Sequence, residues 1–278
     1  MPAALSAPAR CRRQLRIRLA ALAFAAVALG PTSARAADPD VLWKIVHDQC
    51  VPNEQQHRNA APCAEVDLTG GVERGYVVLK DINGNTQFLV IPTARVSGIE
   101  DPALLAANAP NYWAPAWVAR FYVFARAHEE LPRDAIGLAI NSIQGRSQNL
   151  LHIHVDCVRP DLRRYLARHA ARMSERWADL GEAIDGHRYL AMRLDSRDLV
   201  GVDPFEVLAR SIPAARQHMG NWTLVAVGMP RGFVLLAGHV NPASNDPGSV
   251  TGGGPEERLS KVLNSAVLHA DTPDVSGQ

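Results

Sequence analysis

The sequence predicts an α+β fold, an antiparallel sheet with helices, on three observations. Short runs rich in Val, Leu and Ile recur at 76–81 (YVVLKD), 87–92 (QFLVIP), 136–142, 150–158, 189–194, 222–229 and 233–240, which is strand composition. Turn chemistry joins two of the neighbouring pairs, Asn83-Gly84-Asn85 in the first and Pro230-Arg231-Gly232 in the last, so these pairs read as hairpins. Between strand pairs the apolar period changes to that of a helix.

The elements follow in order. Trp113, Trp117, Phe121, Phe124 and His128 recur at helical spacing and read as the inward face of one amphipathic helix that Pro132 stops. Pro160-Asp161 opens a second helix with Leu162, Leu166, Met173 and Trp177 inward. Its other positions carry Arg163, Arg164, Arg168, Arg172 and Arg176, either a solvated face or a contact for anionic lipid headgroups. Residues 204–210 and 213–219 read as helices stopped at Gly220. Strand, helix and two strands is thus the order of both halves, 64–160 and 161–240. This order is compatible with a degenerate internal duplication, although no residue-level repeat accompanies it. Residues 241–255 are rich in Gly, Pro, Ser and Asn and open a flexible tail, 241–278, with a short terminal helix over 256–270.

The first 36 residues stand apart. They hold six arginines and no acid, then an apolar run from Leu19 to Gly30, then Ala34-Arg35-Ala36. Basic, apolar, small-x-small is the layout of an export signal. The run is short for the ~30 Å hydrocarbon core, which favours cleavage; the alternative is an uncleaved membrane anchor. Either places residues 37–240 outside the cytoplasm, since the arginines hold the amino end inside. The whole chain carries 29 Lys+Arg against 28 Asp+Glu, and setting aside the six arginines leaves 23 against 28, a net −5. An acidic exported domain is a poor nucleic-acid binder, and none is expected as a partner. Cys50 and Cys63 flank a short polar stretch and are a candidate disulfide in an oxidising compartment, the alternative being two free thiols.

The densest chemistry lies in 141–158, NSIQGRSQNLLHIHVDCV. On a strand, residues two apart share a face, so His152, His154 and Asp156 line one side. Leu151, Ile153, Val155 and Cys157 line the other, which makes Cys157 a small core residue. Two histidines on one face are a metal pair with Asp156, a nucleophile with its partner, or an exposed pair without function. Gly145, Ser147, Gln148 and Asn149 just upstream tilt the choice, because small residues and amides in a turn bring donors to a phosphate. No G-x-S-x-G, no GK[ST] loop and no G-x-G-x-x-G occurs. His187, His218 and His239 are lone histidines, with His239 the best spare candidate.

The run Gln148-x-x-x-His152-Ile153-His154-Val155, with Asn141 seven residues before Gln148, resembles the histidine-triad (HIT) nucleotide hydrolases and transferases. Asp81-Ile82 followed by Phe88-Leu89-Val90-Ile91-Pro92 resembles that superfamily's ribose-binding strand and the next one. More narrowly, LWKIV (42–46), QCVPN (49–53), APCAEV (61–66), GYVVLKD (75–81), LAINS (138–142), GRSQN (145–149), HIHVDC (152–157), VRPD (158–161) and FVLLA (233–237) resemble the bacterial CDP-diacylglycerol pyrophosphatases.

The resemblance implies a HIT-like sheet and a set of roles. His154 attacks the α-phosphorus of CDP-diacylglycerol and forms a cytidylyl-histidine; phosphatidate leaves and water releases CMP. His152 supports His154. Asn141, Gln148 and Asn149 contact phosphate, and Asp81 holds the ribose hydroxyls. Asp156 stands where the wider superfamily has its third histidine, either as a strut or as an anion-repelling group near the substrate. Gln87 and Arg95 also replace histidines of that superfamily. No cofactor or metal is called for. The implied setting is the periplasmic side of the inner membrane, or the periplasm if the signal is cut, with the membrane surface and a nucleotide-lipid as partners and a monomer as the assembly. Two other readings stay open: a hydrolase of water-soluble nucleotide diphosphates, and a non-catalytic nucleotide or lipid binder.

Overall fold

The computed structural model describes residues 38–184 and 187–240. The expected export segment and the carboxy-terminal tail lie outside the described residues. No helix among those described is long and apolar enough to cross a membrane.

The strands form one antiparallel sheet: β1 (Glu65–Asp67), β2 (Tyr76–Lys80), β3 (Phe88–Pro92), β4 (Ile136–Ile140), β5 (Ile153–Cys157), β6 (Ala178–Asp179), β7 (Tyr189–Leu194), β8 (Trp222–Gly228) and β9 (Phe233–His239). Their spatial order is β1-β2-β3-β5-β4-β8-β9-β7-β6. The α+β expectation is met, and the second half, 161–240, does not form a sheet of its own. It extends the same sheet through β4 and β8, where Gly137 pairs with Val227 and Ile140 with Leu224. Read outward from that junction, both sides run the same way. A central strand is followed by its hairpin partner, then by the strand that precedes the central one in sequence, then by that strand's own neighbour.

Helices cover one face of the sheet. α3 (Trp113–Val118), α4 (Arg120–Ala127) and α6 (Pro204–Ser211) bury Trp113, Trp117, Val123 and Phe205 against Leu138, Ile153, Leu224 and Leu235. Edge-to-face pairs at 5.2 Å for Trp113–Phe205 and 4.8 Å for Trp117–Phe233 tie α3 to α6 and to β9 respectively, and add to the apolar burial. The opposite face holds two separate clusters. One packs α1 (Val41–Ile45), a π-turn over Val46–Cys50 and α2 (Val51–His57) on Val77, Leu79, Leu89 and Ile91. Within it a disulfide joins Cys50 to Cys63. The other packs α5 (Pro160–His169) on Val225, Val227, Val234 and Leu236.

Two helix expectations are corrected. The aromatic helix is not continuous, because Ala119 tightens the chain and α4 restarts after it. The Trp117 carbonyl, the acceptor a continuous helix would offer to Phe121, takes a hydrogen bond from Arg120 Nη1 at 2.5 Å. The same guanidinium lies 4.5 Å from the Trp117 ring and 4.3 Å from the Phe121 ring. Phe121 therefore faces outward, 52% exposed. The helix stops at His128, which adopts a left-handed φ of 55° before Pro132 is reached. The helix after Pro160 ends at His169, followed by a 3₁₀ turn over Ala170–Arg172, so Met173 and Trp177 lie beyond it.

Candidate functional site

The two clusters on the open face leave a seam, and the histidines lie in it. His154 in β5 pairs with Leu89 on β3, which belongs to the α1–α2 cluster, and with Ala139 on β4, which belongs to the α5 cluster. The period-two reading of this strand holds: Leu151, Ile153 and Val155 are buried under the helices on the other face. Asp156 pairs with Gly137, whose missing side chain leaves room beside the carboxylate. His152 precedes β5, and its ring centre lies 4.9 Å from that of His154, edge to face. Continuing the β4–β5 register by two residues sets Asn141 opposite His152 on the same face.

His154 is nearly enclosed, its side chain 12% exposed. Neither ring nitrogen makes a hydrogen bond among the described residues. An imidazole buried in this state costs about 1–3 kcal/mol, so the position is not explained by stability. Burial, with nearby His152 as a lesser cause, pushes its pKa well below the ordinary value, so the ring is neutral and keeps a free lone pair. His154 Nδ1 lies 3.8 Å from Asp81 Oδ2, just beyond hydrogen-bond length. A sub-ångström shift would let Nδ1–H donate to that carboxylate and leave Nε2 as the nucleophilic atom. His152 Nδ1 lies 2.6 Å from the Leu150 carbonyl oxygen, an acceptor that requires the proton on Nδ1.

The β2–β3 hairpin loop holds Asp81 in place. Its Oδ1 accepts from the Asn83 amide at 3.0 Å and its Oδ2 accepts from Gln87 Nε2. Lys80 Nζ pins the same loop by donating to the Asp81 and Gly84 carbonyls at 2.6 and 2.8 Å. Asp156 is fully buried. Its Oδ1 accepts from Thr86 Oγ1 at 2.6 Å, while its Oδ2 has no partner among the described residues. Burial pushes its pKa up to about 6, against the Thr86 hydrogen bond that pulls it down. Thr86 and Lys80 were not expected at the site. A Thr in a turn and a Lys at a strand end carry no signal until the loop is seen to close over Asp156. Gln87, read only as a departure, is the residue that orients Asp81.

The upstream turn is built differently from expectation. Asn141 is buried and Gly145 packs on it, since a Cβ there would come within 3.3 Å of Asn141 Oδ1. Gln148 instead spends both ends of its amide on the amino-terminal segment. Its Oε1 accepts from the Leu42 amide at 3.1 Å and its Nε2 donates to the Asp38 carbonyl at 3.0 Å. The Asn149 amide reaches the Pro39 carbonyl at 2.8 Å. Arg95 joins this segment too, donating to Asp40 at 2.8 Å with its guanidinium 5.3 Å from the Trp43 ring. His239 lies in β9, separated from β5 by β4 and β8, with its ring tilted against Trp222, so it adds nothing to this site. Cys157 is half-buried, with burial pushing its thiol pKa up to about 11, which makes it unreactive. No group of three or more His, Cys, Asp and Glu among the described residues is placed to share a metal ion.

Residues 37–252 match the family described as CDP-diacylglycerol pyrophosphatase. The chain belongs to that family. The match spans all nine strands and the histidine seam, so the family's reaction, hydrolysis of the pyrophosphate bond of CDP-diacylglycerol, belongs to this fold. The chain is a hydrolase acting on a phosphoric anhydride.

Proposed function

We propose that His154 performs the hydrolysis in two displacements. Nε2 attacks the α-phosphorus, the N–P bond forms as the bridging P–O bond breaks, and phosphatidate departs as an anion that is already stable near neutral pH. Water then attacks the same phosphorus, the P–N bond breaks, and CMP leaves, with the water's proton passing to the released imidazole or the departing nucleotide. Asp81 takes the Nδ1–H of His154 and stabilises the imidazolium-like charge that develops. His152 supports the ring, and Asn141 offers its amide to the α-phosphate. The observation that carries this reading is the buried, neutral, unbonded His154 within 3.8 Å of a fixed carboxylate.

The matching strand order on either side of the β4–β8 junction supports a HIT-like fold with a degenerate internal duplication. An internal duplication whose second half extends the same sheet favours a monomer. The expected export segment and a lipid substrate support a setting at the periplasmic membrane surface. The mechanism is tested by rapid quench after mixing with CDP-diacylglycerol labelled in the cytidine. Label on the peptide that contains His154 is expected. Steady CMP release with no label on that peptide would overturn the covalent route.

A further inference from the structure

A cleft of about 350 Å³ opens beside the turn that follows β4. Its walls come from three segments that the mechanism does not use: the loop after β3, the turn at Ile143, and the end of α7 (Pro213–Gln217) with the 3₁₀ turn after it. These segments are joined, because the Ile143 amide donates to the Gly220 carbonyl at 2.8 Å. Glu100 on one wall is bound by Arg146 Nη1 at 2.5 Å, from the same turn. The cleft is therefore continuous with the turn that carries Asn141 and Gly145.

The lining divides by chemistry. Its two acids are already engaged: Glu100 pairs with Arg146, and Asp101 accepts from the Ser97 and Ala103 amides at 2.9 and 3.0 Å. Arg216 and His218 are exposed, and their side chains make no ion pair or hydrogen bond among the described residues. Beside them Leu105 and Ile143 stand 37% and 45% exposed, apolar surface that folding leaves uncovered. An unpaired cation next to open apolar side chains matches a molecule with a phosphate at one end and hydrocarbon at the other.

Position narrows the choice. Ile143 is four residues beyond Ala139, the β4 residue paired with His154, so it lies within about 13 Å of Ala139 along the chain. We propose that this cleft receives the leaving half of the substrate, with Arg216 and His218 at the β-phosphate of phosphatidate and Leu105 and Ile143 against the glycerol and the first acyl carbons. The inference rests on the two-displacement reading above and assigns the specificity of that same site.

The test uses three substrates that share the cytidylyl group: CDP-diacylglycerol in mixed micelles, CDP-glycerol, and the p-nitrophenyl ester of CMP, which lacks a β-phosphate. Ile143→Asp is expected to lower the ratio of kcat/KM for CDP-diacylglycerol over CDP-glycerol at least tenfold. Arg216→Ala is expected to lower kcat/KM for both diphosphates about tenfold relative to the nitrophenyl ester. Both positions are exposed, and turnover of the smallest substrate reports that each variant is folded. Ratios that stay at the wild-type value in both variants would overturn the cleft's role while leaving the mechanism intact. A wild-type protein that cleaves CDP-glycerol but not CDP-diacylglycerol would instead overturn the function itself, and this inference with it.

Discussion

The two sides of the sheet are laid down in the same strand order yet put opposite chemistry on their open faces. On the first side the row through β5 reads Leu89, His154, Ala139. On the second side a row through β9 reads Ala191, Leu236, Val225. Leu236 is fully buried beneath the α5 cluster, where it contributes about 1.5–3 kcal/mol of apolar burial. His154 takes a comparable place, and its ring nitrogens make no hydrogen bond among the described residues. Near the next row, Asp156 sits buried beside Gly137 on the first side. On the second, the Tyr189 ring packs so closely on Gly238 that a Cβ there would meet it at 3.0 Å. One side spends stability on reactive groups, and the other supplies it.

The sharpest way to break this comparison is to give the first side what the second has. His154→Leu should lower CMP release from CDP-diacylglycerol by roughly 10³-fold or more, since the nucleophile is gone. The same change should raise resistance to urea unfolding by about 1–3 kcal/mol, because an unbonded buried polar ring is replaced by an apolar side chain. Activity within tenfold of wild type would remove His154 from the mechanism. The converse change, Leu236→Ala, should cost about 2–5 kcal/mol of stability and leave kcat per folded molecule within about twofold. A large loss of kcat at full folding would mean that the second side takes part in chemistry.

Asp81→Asn sharpens the role of the carboxylate. If Asp81 orients His154, kcat should fall about 10²-fold or more with little change in KM, as for other residues that fix an imidazole tautomer. A rise in KM at constant kcat would favour the ribose contact instead. His154 Nδ1 and Asp81 Oδ2 lie close enough for the first outcome, and nothing in that geometry requires the second.

Much of this arrangement was legible in the sequence because strand alternation is a strict rule. His152, His154 and Asp156 fall on one face whatever else the chain does, and Val/Leu-rich runs around Asn83-Gly84-Asn85 leave little choice but a hairpin. Burial on both faces also made the four central strands, β4, β5, β8 and β9, readable as Val/Leu/Ile-rich runs. What could not be read depends on contacts distant in sequence. The resemblance implies a phosphate contact for Gln148, and its amide side chain also accepts from the Leu42 amide, 106 residues away, a contact no local pattern encodes. Thr86 gave no signal because its partner Asp156 is 70 residues on. The break at Ala119 follows from where the Arg120 side chain goes, which helical periodicity does not encode.

The smallest expected effect concerns Asp156, a buried carboxyl with no counterpart beside Gly238. Burial raises its folded-state pKa to about 6 from the ordinary 3.8. Below pH 3.8 both folded and unfolded chains hold the proton, so the group is neutral in its effect. Between there and pH 6 the folded protein binds more protons than the unfolded chain, so stability falls as pH rises. Above pH 6 the full penalty of a buried carboxylate is present. Asp156→Asn keeps an acceptor for Thr86 and removes the titration. Its advantage over wild type should therefore grow by on the order of 1–3 kcal/mol between pH 4 and 7. Asp203, raised to about 7 by burial at the start of α6, titrates in part of the same window. Only the difference between the two proteins, measured by urea unfolding across that range, isolates Asp156. A constant difference would mean that Asp156 keeps an ordinary pKa, and that the Thr86 contact and nearby Lys80 suffice to hold it ionised under the hairpin loop.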